Sequence, residues 1–191
     1  YILFKWRLKF STVIYAHVRM FIQLIAIGYC LKYIFNNDHP VIILLILTVM
    51  ITIAGYIALR PLKKKQFSHY LFSTIAIFFP GAVTLYIVTQ HVIHLNPWYN
   101  PNYLIPLGGM VFANCMNSIS LAAERFEKEN ENRLSFENQR NIAFKASLIP
   151  ITNSLLAVGL VSLPGTMTGM ILSGISPIIA VKYQIMLMCM I

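Results

Sequence analysis

The chain has 191 residues, of which 58% are hydrophobic and 11% charged, with a formal charge of +9. Soluble domains carry about 25% charged residues. Here no Asp, Glu, Lys or Arg occurs over residues 41–59 or 66–123, which excludes an ordinary water-soluble domain. The basic residues sit at the ends of apolar segments, as membrane topology requires, and that placement argues against nucleic acid as a partner.

Residues 1–10 mix apolar side chains with Lys5, Arg7 and Lys9 and read as an earlier crossing running into a basic loop. The chain stops inside an apolar run at Ile191, so both ends are expected to be truncated. The first complete apolar segment covers residues 12–35. Arg19 lies near its basic-loop end with His17 beside it. A charge at that depth snorkels to the interface or pairs within the membrane, and snorkelling is the plainer expectation. The second segment covers residues 40–59 and the third residues 67–91. His91 and His94, three residues apart, could meet on one helical turn as metal ligands. No third ligand accompanies them, so a polar loop is the simpler reading. Residues 96–101, Asn-Pro-Trp-Tyr-Asn-Pro, follow as an aromatic interfacial loop.

The fourth segment covers residues 103–123 and carries Asn114, Asn117, Ser118 and Ser120. Residues 124–148 are the one substantial piece outside the membrane. Its five glutamates balance Arg125, Lys128, Arg133, Arg140 and Lys145, with Phe126, Leu134 and Phe136 interspersed. This composition predicts amphipathic helices. They serve either as a solvated connector or as a docking element built from Glu124, Arg125, Phe126, Arg140 and Lys145. The fifth segment, residues 149–173, carries Thr152, Asn153 and Ser154 and is broken at residues 163–169 by Pro164, with Gly165 and Gly169 forming a small-residue face. The break reads either as close helix packing or as an interrupted helix at a substrate path. The sixth segment starts near Pro177. Met167, Met170, Met186, Met188 and Met190 gather late in the chain. Thioethers can hold soft metals, though filling apolar gaps is their usual work. Cys30, Cys115 and Cys189 all lie in apolar stretches without CxxC spacing and read as small hydrophobes.

Every crossing must satisfy its own backbone, so these segments are expected to be helices in an all-α polytopic transmembrane bundle. The strand-length alternation of a membrane barrel is missing. Lysines and arginines fill the loops before the first segment, between the second and third, and between the fourth and fifth; residues 36–39, 92–102 and the Gly174 turn have none. By the positive-inside rule the basic loops face the cytoplasm.

No nucleotide-binding GxxxxGK[ST], HExxH or GxSxG string occurs, and Asp38 is the only acidic residue outside residues 124–148. Proton-coupled carriers use intramembrane carboxylates, so energy is expected to come from elsewhere. Polar residues at membrane depth either bond between helices or face an aqueous path. Asn114, Asn117, Asn153, Thr166, Met167 and Met170 are the candidates for such a path.

Residues 22–29, 106–110, 114–117, 147–150, 158–165 and 179–186 resemble the FetB (YbbM) permeases over nearly the whole chain, most specifically in the string Val-Gly-Leu-Val-Ser-Leu-Pro-Gly at 158–165. The resemblance implies one transmembrane permease domain over residues 1–191, in a multi-pass protein of the cell membrane surrounded by lipid. It also implies pairing as a homodimer with a separate cytoplasmic ATPase that binds the ATP, so that this chain holds no cofactor and is not itself an enzyme. Iron or a related metal or solute would be the exported substrate, and plant relatives are linked to aluminium tolerance. The chain departs from the family pattern near residues 130–140, where a segment resembling LGATP is missing, and shows six segments against the family's about seven. A channel or carrier independent of ATP and a structural membrane subunit are the alternatives. A membrane-embedded enzyme would need a nucleophile, metal or acid pair that the sequence does not supply.

Overall fold

A computed structural model describes residues 10–35, 39–63, 65–132 and 134–190; Lys5, Arg7, Lys9, Asp38, Lys64 and Arg133 lie outside them. The described residues form seven α-helices: α1 (Phe10–Phe35), α2 (Pro40–Ala58), α3 (Phe67–Tyr86), α4 (Pro101–Glu131), α5 (Phe136–Ala157), α6 (Gly165–Leu172) and α7 (Pro177–Cys189). The expected all-α bundle is thus what the structure shows. The end of α3 widens into a π-helical turn, Ile87–Val92.

Local chemistry sets the helix ends. Prolines 40, 101 and 177 open α2, α4 and α7, where a missing N–H is harmless and the fixed φ suits the first turn. The Asn100 side chain accepts a 3.0 Å bond from the Asn102 N–H, and Gln66 and His69 cap α3 reciprocally. After α6, Gly174 takes φ +86. Its N–H reaches the Ile171 carbonyl and that of Ile175 reaches Met170, both at 3.0 Å. This is the paired 5→2 and 6→1 closure that glycine permits.

Packing centres on α2, α3 and α4. Ile43, Leu47, Ile51 and Ala54 line one stripe of α2, Ile77 and Leu85 one stripe of α3, and Leu104, Leu107, Val111 and Phe112 the facing side of α4. Two helices approach closely at Gly55, where an added Cβ would strike the Thr74 hydroxyl and lie 3.2 Å from the Thr74 backbone. Across that contact Ser73 donates a 3.2 Å bond to the Gly55 carbonyl. By contrast α1 joins the bundle through its last turn, where Ile34 is buried and Leu31 and Phe35 pack against the core. Its described side chains from Val13 to Cys30 are all exposed.

Among the described residues four stretches are long and apolar enough to cross a membrane: Val13–Phe35, Pro40–Ala58, Phe67–Val92 and Pro101–Glu131. Phe72, Phe78, Phe79 and Leu45 point outward, an arrangement that hydrocarbon solvates and water does not. At 1.5 Å per residue α4 is about 46 Å long, against about 30 Å for a hydrocarbon core. Its last turns therefore project beyond the apolar layer.

The fifth segment is not one crossing with a break at residues 163–169. Its helix begins at Phe136, passes through Pro150 and ends at Ala157. Residues 158–164 make a turn in which Gly159 has φ +80, and the Val161 N–H returns to the Ala157 carbonyl at 2.9 Å. Pro164 then caps α6, leaving Gly165 as its first residue. An interior proline removes one bond and can be absorbed, whereas here the chain leaves the helix at Val158, whose backbone is extended, and Gly159 completes a tight turn closed by the Leu160 N–H on the Ala157 carbonyl. Neither Gly165 nor Gly169 makes a close helix approach: nothing lies within 4 Å of a Cβ built at either.

Candidate functional site

Between α3, α4 and α5, closed on one side by Met190, is a cavity of about 410 Å³. Its wall includes Asn114, Asn117 and Ser118 from α4, Ser147 and Ser154 from α5, and Thr84 from α3. Asn114 lies about 16 Å along α4 from Tyr103, near the middle of a hydrocarbon core about 30 Å thick. The Asn114 Nδ2 donates a 2.9 Å bond to the Met110 carbonyl of its own helix, which leaves the amide oxygen for the cavity. Ala76 and Pro80 also line it, and Pro80 has no N–H to give the Ala76 carbonyl. Pro150 stands on the opposite wall. The cavity thus combines side-chain amides, hydroxyls and backbone made acceptor-rich by proline, in the size range of small-molecule sites, about 300–1,000 Å³.

The sequence candidates do not share one space. Asn114 and Asn117 meet in this cavity, while Asn153 is exposed and does not line it. Thr166 and Met170 line a different cavity of about 620 Å³, with Met110, Met186 and Asn102. Met167 and Met188 face a third of about 330 Å³. Thr166 donates a 2.6 Å bond to the Oε1 of Gln184, a buried residue of α7 that ties α6 to α7. His91 packs edge-on against Tyr86 with ring centroids 5.6 Å apart. Among the described residues no group of three or more His, Cys, Asp or Glu is placed to hold a metal ion. Arg19 is exposed on α1, and the three cysteines are free thiols.

Ser147, Thr84 and Pro80 were not legible as site residues. Ser147 falls just before the apolar run, in the charged stretch by composition alone. Thr84 follows Pro80 by four residues on one face of α3, so a proline with a polar residue one turn later inside an apolar helix is the signal that could have found it.

Below the cavity α4 and α5 continue as an antiparallel hairpin. Glu129 is buried there and fully partnered: Arg125 reaches its Oε1 at 2.9 Å and the Asn132 amide its Oε2 at 3.1 Å. Gln139, also buried, donates to the Leu134 carbonyl at 2.6 Å, and the rings of Phe126 and Phe136 meet edge to face at 5.8 Å. Glu124, Arg125 and Lys145 lie nearer the apolar part of the helices, around a groove between them. Arg140 sits toward the tip, exposed, 4.0 Å from a Glu137 carboxylate oxygen and donating a long 3.5 Å bond to the Asn141 side-chain oxygen.

The α2–α3 loop is tied to this hairpin. The Lys63 N–H donates to both carboxylate oxygens of Glu127 at 3.1 Å, and its ammonium pairs with Glu131. The hydrogen bond and charge of Glu131 hold the Lys63 ammonium above its ordinary value. On the alkaline side the ammonium's pairing with Glu131 is therefore present at neutral pH and is lost as pH rises through that raised value, while the backbone N–H bonds to Glu127 do not titrate with it. Two basic loops thus occupy one end of α4. The other end carries Asn102, which shares a cavity with Ile93, Ser173 and Ile175 from loops without lysine or arginine. In a cysteine-free background, cysteine at Lys128 is expected to resist an impermeant thiol reagent in intact cells and cysteine at Trp98 to react. External labelling at Lys128 would invert the orientation.

Fold and cavity together define a multi-pass helical membrane protein with a cavity lined in part by amides and hydroxyls within the apolar layer. The chain belongs to Uncharacterised protein family UPF0014, whose model matches residues 2–136 and 131–191. The two matched pieces overlap at the hairpin tip, the place where the sequence departs from the family pattern. Among its relatives, the "UPF0014 membrane protein slr1647" of Synechocystis is 37% identical over 196 residues, covering 95% of this chain and 76% of that protein. The "Probable iron export permease protein FetB" of Escherichia coli is 31% identical, covering 92% and 72%. The "Protein ALUMINUM SENSITIVE 3" of Arabidopsis thaliana is 30% identical, covering 94% and 70%. No solved structure matches the chain.

Proposed function

We propose that this chain is the membrane-spanning permease subunit of an ABC transporter in the cell membrane, exporting iron or a related metal or solute and powered by a separate ATPase. What carries the reading is the chamber between α3, α4 and α5, whose amides and hydroxyls at mid-depth suit a passing polar solute. The similarity to a relative named as an iron export permease supports both the class and the direction. Two copies stand over two ATPases, and the tip of the α4–α5 hairpin, with Phe126, Phe136 and Arg140, is the surface that meets them. The chain itself is non-enzymatic in this scheme. Purified alone it is expected to hydrolyse no ATP, and after reconstitution with its ATPase to show solute-stimulated hydrolysis. Transport by the isolated chain in liposomes without ATP would favour the channel or carrier reading instead.

A further inference from the structure

The groove between α4 and α5 measures about 520 Å³ and changes character along its length. Its floor is apolar, formed by Leu121, Ile142 and Ile149, and its rim carries Arg125, Lys128 and Lys145. The change falls at one level on both helices. On α4 the charge-free stretch ends at Ala123, and on α5 the next begins at Ala146 and runs to Val181. The groove therefore straddles the surface of the apolar layer, with its cations at headgroup depth. Glu129 occupies Arg125, and Glu124 is the only acid on the rim. Lys128 and Lys145 enter no ion pair with any described residue, so the rim has positive charge to spare.

We propose that this groove binds an anionic phospholipid of the leaflet on the basic-loop side, with its phosphate against Lys128 and Lys145 and an acyl chain along the apolar floor. Two features select a lipid. A soluble anion would use the rim and leave the floor uncovered, whereas a zwitterionic lipid would cover the floor and leave the rim's charge unmatched. The site is separate from the polar chamber, although Pro150 belongs to both walls. An occupied groove would set the spacing of α4 and α5 where they leave the membrane.

The test uses the full chain in neutral detergent, titrated with phosphatidylglycerol, phosphatidylcholine or glycerol 3-phosphate while thermal unfolding is followed. Phosphatidylglycerol alone is expected to raise Tm. The Lys128→Gln/Lys145→Gln variant should need about tenfold more of it or better for the same shift, with an unchanged Tm in its absence. Lys128→Arg/Lys145→Arg, which keeps both charges, should retain the response and guards against a folding defect in the glutamine variant. Arg60→Gln removes a cation from the same end but outside the groove, and should also respond normally. Equal stabilisation by glycerol 3-phosphate would make this a phosphate site and overturn the lipid. Equal stabilisation by phosphatidylcholine, or equal loss in Arg60→Gln, would overturn the groove.

Discussion

Gly55→Leu is expected to prevent the bundle from reaching its folded state, or to weaken it by about 3 kcal/mol or more. The new side chain would run into the Thr74 hydroxyl, a short β-branched group with little freedom to move, with the Thr74 backbone directly behind it. Overpacking a core that can yield costs about 1–3 kcal/mol, and one that cannot costs more. Separating α2 from α3 would also stretch the Ser73 bond to the Gly55 carbonyl and leave a buried hydroxyl without its acceptor. Unfolding in detergent, read beside Gly165→Leu, checks this. The second variant is expected to keep normal stability because the space around Gly165 is open. Equal stability of both would show that α2 and α3 do not meet at Gly55.

The second large effect is expected at the chamber. Asn114→Leu/Asn117→Leu keeps the branched shape and the number of side-chain heavy atoms, suits apolar surroundings and places its larger methyls beside the open cavity, so detergent stability should hold. If the chain works as proposed, solute-stimulated hydrolysis by an ATPase reconstituted with it should fall by about tenfold to a hundredfold, the equivalent of losing two hydrogen bonds to a passing solute at about 0.5–1.5 kcal/mol each. Met167→Ala/Met170→Ala is the natural comparison, since these methionines face two other cavities. A loss in the methionine variant with none in the asparagine variant would move the path to the α6–α7 side.

Hydropathy locates the first three crossings within a few residues, because there the apolar run and the helix are the same thing. Residues 40–59 become Pro40–Ala58, and residues 67–91 become Phe67–Val92. The two part company in α4. Hydropathy stops at Ala123, but the helix runs on to Glu131 because Arg125 and Glu129, one turn apart, support it outside the apolar layer. Around Pro150 and Pro164 the sequence misleads more seriously. Pro164 looks like the break, yet α5 runs through Pro150 and the chain leaves the helix at Val158, just ahead of Gly159, whose left-handed backbone only the structure shows. The chamber was half visible. Asn114 and Asn117 stand out against apolar neighbours, whereas Ser147 becomes a wall residue only because α5 starts at Phe136 and carries that face past α4.

The unbroken length of α4 has a mechanical consequence. From Asn114 to Glu131 is about 25 Å and from Asn114 back to Pro101 about 20 Å, so the chamber sits close to the middle of a long rod whose one interior proline, Pro106, lies in the arm toward Pro101. A sideways push on the hairpin end turns such a rod about its centre, and its far end swings the opposite way by nearly the same amount. The helix behaves as a lever with the chamber at its fulcrum, where displacement is least and change of angle is felt in full.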